Sequence, residues 1–87
     1  MTDESNETFT HVIVMTLSPG YWGKGETVKE AVRKSEWIER GDRVRVVDCG
    51  PTARIDELGG IVRKQGEPYR TRGKGTVIRG GEVKLDE

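Results

Sequence analysis

The chain has 87 residues, enough for one small domain that buries roughly two-thirds of its unfolded surface. Only 32% of residues are hydrophobic, which limits the core to a thin interface between one helix and one sheet. Charged residues reach 34% with a net charge of zero, so no bulk field points to nucleic acid or an anionic membrane, and Cys49 as the only cysteine excludes an intrachain disulfide and a multi-cysteine zinc site.

The charge is unevenly placed. Residues 1–8 hold Asp3, Glu4 and Glu7 and no base, and are expected to form a disordered acidic tail ahead of a single domain over 9–87. Residues 40–79 carry ten bases against five acids, and residues 80–87 return to −2. With no apolar h-region at the N-terminus and no long apolar run, the expectation is a soluble cytoplasmic protein without signal peptide or membrane span.

Phe9 to Leu17 alternates as a strand, with Phe9, His11, Ile13, Met15 and Leu17 on one face and Val12 and Val14 on the other. Apolar groups on both sides predict a central strand, the helix covering one face and partial cover lying on the other. Ser18-Pro19-Gly20 ends it, and Gly20-Tyr21-Trp22-Gly23-Lys24-Gly25 reads as a glycine-rich loop. Such a loop before a helix can cradle phosphate, but Lys24 is followed by Gly25-Glu26 where a P-loop needs Ser or Thr. A tight strand-to-helix connection is the better reading.

Thr27-Val28-Lys29-Glu30 is a capping box: Thr27 is placed to accept from the Glu30 N–H, and Glu30 to reach back to the Thr27 N–H. Val28, Ala31, Val32 and Ile38 then give a 3.6-residue stripe, and Gly41 fits a left-handed C-cap, so the helix is expected over about 28–39. Trp37 falls opposite that stripe, either packed on Arg33 or the following loop, or held out for a partner.

Short strands follow. Arg43 to Asp48 alternates, with Val44 and Val46 pointing one way. Residues 53–58 fit either a strand or a helical turn, Ile61 to Lys64 is extended, and Tyr69 to Arg72 is expected as a short edge strand. Gly75 to Leu85 reads as a hairpin turning on Gly80-Gly81. The fold class is therefore α+β, one helix packed on a mostly antiparallel sheet of four or five strands in the order β-α-β-β-β(-β).

No constellation supports catalysis, a cofactor or a metal: His11 is the only histidine, Asp56 and Glu57 alternate to opposite faces if extended, and no ligand spacing stands out. The expected function is a non-enzymatic binding module that docks on a protein partner, with Tyr21, Trp22, Lys24, Arg33 and Trp37 as contact residues. The alternative is a nucleic-acid binder that uses the basic window of Arg63, Lys64, Arg70, Arg72, Lys74 and Arg79, with Tyr69 stacking on a base.

The segment Tyr21-Trp-Gly-Lys-Gly-Glu-Thr-Val-Lys-Glu-Ala31 resembles the strand–loop–helix start of the HicB-like antitoxins, with Gly25, Thr27, Glu30 and Ala31 at the matching positions. The resemblance covers that segment alone and brings no functional residue with it. The short, charge-rich and glycine-rich character also resembles small proteins encoded by phages and prophages, which implies modulation of a host factor.

Overall fold

The computed structural model describes residues 9–17 and 20–86. The acidic stretch 1–8 lies outside them. Among the described residues seven strands and one α-helix run in the order β1 (His11–Thr16), β2 (Trp22–Gly25), α1 (Val28–Ser35), β3 (Arg43–Cys49), β4 (Arg54–Ile55), β5 (Ile61–Val62), β6 (Tyr69–Val77) and β7 (Val83–Leu85). The main sheet has the strand order β2-β1-β3-β6-β7 and is antiparallel throughout, while β4 and β5 form a separate two-stranded ribbon. The α+β class and the antiparallel five-stranded sheet agree with the sequence reading.

Both faces of β1 and β3 are covered, as the two-sided apolar pattern requires. On one face Val12, Val14, Val44 and Val46 pack under Ala31, Val32 and Ile38. On the other, Ile13, Met15, Val47 and Cys49 pack under Ala53 and Ile55 of the ribbon, with Trp22 and Ile61 at its margin. The thin core is thus split into two layers by one sheet.

Several expectations are corrected. The glycine-rich stretch is not a loop: residues 22–25 form β2, paired with β1 from Val12↔Gly25 to Met15↔Trp22. Its glycines serve packing, since a Cβ on Gly23 would overlap the Ala31 carbonyl oxygen and stand 2.7 Å from the Ser35 nitrogen. The helix backbone therefore sits directly on β2, and a Cβ on Gly25 would likewise come within 2.9 Å of the Ala31 nitrogen.

The helix is also shorter than its apolar stripe. Thr27 is the N-cap as expected, its Oγ1 accepting from the Glu30 N–H at 3.1 Å, but the Glu30 carboxylate accepts from the Glu26 N–H at 2.8 Å, one residue beyond Thr27. That bond, and then Lys34 at 3.4 Å, hold the Glu30 carboxyl below its ordinary range. At the other end the helix stops at Ser35, with Glu36 rather than Gly41 in the left-handed conformation (φ 68°). The buried Ser35 hydroxyl donates to the Val32 carbonyl and accepts from the Ile38 N–H, which turns the chain so that Ile38 still enters the core. Gly41 takes its own positive φ in the turn before β3.

Tyr69 to Arg72 does lie at an edge, but it opens a nine-residue strand paired with β3 rather than forming a short strand of its own. β7 pairs only with Gly75 to Val77, so the outer edge of residues 69–73 has no strand beside it among the described residues. A bulge shifts the β3–β6 register between Val46 and Val47. The last hairpin is present, but its connection is a five-residue loop closed by the Ile78 N–H on the Glu82 carbonyl, with Gly80 and Gly81 both at positive φ. Residues 53–58 resolve into β4 followed by a turn. Asp56 closes that turn, its Oδ1 accepting from the N–H groups of Leu58 and Gly60.

Candidate functional site

β1 and β2 are joined at one end of the sheet by residues 17–21. Thr16 fixes the approach to β2: its Oγ1 accepts from the N–H groups of Gly20 and Tyr21 at 2.9 and 2.8 Å, and the Thr16 N–H donates to the Tyr21 carbonyl. Tyr21 therefore leaves the sheet in a defined direction. Its ring stacks on Trp37, with centroids 5.7 Å apart and planes inclined by 25°.

Trp37 follows the helix instead of lying on it, and is 63% exposed even with Tyr21 against it. Tyr21 is 42% exposed and Leu17, which brackets the same connection, 47%. The two stacked aromatic rings thus remain exposed together, whereas Leu17 lies by Met15 and Ile55 on the ribbon side. Arg33 is exposed on the last helical turn and does not stack on Trp37, so the covering role goes to Tyr21. Trp22 takes the opposite side, packed against the ribbon-side core.

Lys24 does not join this surface. Its Nζ donates to the carbonyls of Pro51 at 2.6 Å and Ala53 at 2.8 Å, which ties the turn before β4 onto β2. A strand position missed in the sequence explains this, because alternation along β2 sends Lys24 to the ribbon side.

The basic window is divided by the sheet. Arg70 and Arg72 converge on the buried carboxylate of Asp48, Arg72 through Nη2 at 2.6 Å and Nε at 3.4 Å, Arg70 through Nη2 at 3.2 Å. Arg70 also lies over the Phe9 ring at 4.6 Å. The ring expected to stack on a base, Tyr69, carries the Arg63 guanidinium on its face at 4.4 Å, and Arg63 Nε donates to the Glu67 carbonyl. Lys64 sits beside the 65–66 turn with its N–H on Thr52, Lys74 lies directly opposite Arg45, and Arg79 stands in the 3-10 turn Arg79–Gly81. Sequence reasoning missed Asp48, whose signal was an acid set between the apolar Val46-Val47 and Cys49 of β3.

The groups that chemistry would use have structural employment. His11 Nδ1 lies 2.8 Å from Thr10 Oγ1, Asp56 is engaged in its turn, and burial pushes the Cys49 thiol above its ordinary value despite the opposing pull of Lys24. Among the described residues no group of three or more His, Cys, Asp or Glu side chains could hold a metal ion, and no helix is long and apolar enough to cross a membrane. No family model, curated protein or solved structure matches the chain. The likeness of residues 21–31 to HicB-like antitoxins therefore gains no support, and its matching residues have capping and packing roles here.

Proposed function

We propose that this chain is a non-enzymatic binding module that docks on a partner protein through the surface of Tyr21 and Trp37. The observation that carries the reading is the stacked, outward-facing Tyr21–Trp37 pair. Trp and Tyr supply large contact area at low entropic cost and are enriched at binding hot spots, whereas a Trp left in water contributes little to its own fold. Stacking also holds both rings in one orientation before contact, which lowers the ordering cost of association.

The test is affinity capture from the source cell with the wild-type chain and with Tyr21→Ala and Trp37→Ala, analysed by mass spectrometry. A protein retained by the wild type and lost with either variant is the expected result. A bound set that is the same for all three chains would overturn the reading.

A further inference from the structure

The β4–β5 ribbon covers only part of its sheet face, and beside it lies an open groove of about 350 Å³ whose lining includes Met15, Leu17, Ile55, Leu58 and Arg45. Arg45 also lines a second depression of about 570 Å³, shared with Thr71, Lys74 and Asp86. Each volume falls in the range of small-molecule sites.

The charge arrangement here is unusual for a sheet. Arg45 is half-buried on the central strand, directly opposite Met15 on one side and Lys74 on the other. Like charges directly opposite each other on neighbouring strands destabilise the pair. Among the described residues no carboxylate lies within 4.0 Å of either cation, although Asp56, Glu57 and Asp86 line the hollows. Asp56 is held by its turn. Three residues further along β3 the chain does supply a counter-charge, Asp48, to Arg70 and Arg72. The Arg45–Lys74 pair lacks such a partner, and apolar surface adjoins it.

We propose that this groove binds a small anion with an aliphatic portion, a carboxylate above all. The charged end sits between Arg45 and Lys74, and the aliphatic end lies against Met15, Ile55 and Leu58. An arginine fork suits the two oxygens of a carboxylate, and a ligand charge would relieve the repulsion between the two cations. A free fatty acid and the C-terminal residue of a peptide share this chemistry.

Nitrogen-15 NMR titrations of the full chain test it, with octanoate and N-acetylleucine as the two acids, and octanol and N-acetylleucine amide as neutral counterparts. The expected result is saturable shifts at the amides of Met15, Arg45, Ile55 and Lys74 with at least one acid, weaker by about tenfold or more for its neutral counterpart. The acid that binds more tightly identifies the source. Arg45→Met should weaken binding by a similar factor without lowering the unfolding midpoint, because it also removes a like-charge pair. Exposed Lys74→Met serves the same purpose should Arg45→Met fail to fold. No saturable shift with either acid, equal shifts for acid and neutral forms, or undiminished binding by a folded variant would overturn the proposal.

Discussion

Trp37 shows how a single residue can be costly to leave exposed and still make little difference to the fold. Its one described aromatic partner is Tyr21, and such a pair contributes about 0.5–1.5 kcal/mol beyond area burial. Trp37→Ala should therefore lower stability by no more than about 1.5 kcal/mol, against roughly 3–5 for a buried large side chain. Iodide quenching of single-tryptophan chains should reach Trp37 more readily than Trp22; a shielded Trp37 together with a loss near 4 kcal/mol, within that roughly 3–5 range, would place it in the core instead.

Cys49 is the opposite case, fully buried, with its thiol pKa raised by that burial. Below the ordinary thiol range both folded and unfolded chains keep the proton, and the contribution is fully present. Above about pH 8.5 the unfolded chain ionises first while the folded chain retains its proton, so stability falls as pH rises. Cys49→Ala should show a smaller decline in urea midpoint between pH 7 and 9.5 than the wild type. Equal declines would show that burial leaves the thiol's ionisation unchanged.

At the scale of elements, the contact between α1 and β2 depends on two missing side chains. Glycine in a strand normally weakens it, and replacement by alanine removes conformational freedom from the unfolded chain. At Gly23 the sign reverses, because the new methyl would meet helix backbone, which cannot rotate away. Gly23→Ala should cost about 3 kcal/mol through overpacking, read as a lower denaturant midpoint; an unchanged midpoint would mean that the helix can slide off the strand. The early end of α1 belongs to the same contact. Ser35 seats against Gly23 and turns its hydroxyl onto Val32 and Ile38, so the helix ends where packing ends, and Glu36 accepts a left-handed backbone.

For the whole molecule, the distribution of positive charge bears on the nucleic-acid alternative. A backbone-binding face needs several free cations on one surface, with salt-dependent affinity as its signature. Here Arg70 and Arg72 share Asp48, Arg63 covers Tyr69, and Arg79 lies in the connection between β6 and β7. Binding to mixed single-stranded DNA should therefore be weak even at low salt, and Arg70→Ala with Arg72→Ala should leave its salt slope nearly unchanged. A steep slope flattened by that double change would restore the nucleic-acid reading.

The sequence by itself determined what depends on near neighbours: the Thr27 cap, the two-sided pattern of β1, the inward Val44 and Val46, and the glycine-turned final hairpin. Each is a matter of periodicity or of a hydrogen bond within a few residues. The tertiary structure alone decided β2, because two glycines in a four-residue strand resemble a loop until the helix that needs their missing side chains is in place. It likewise decided that Tyr21 covers Trp37, that Lys24 ties down the turn at Pro51, and that Asp48 collects two arginines from β6. These partners lie 16 to 27 residues apart. No local period encodes such pairings; only the strand order brings them together.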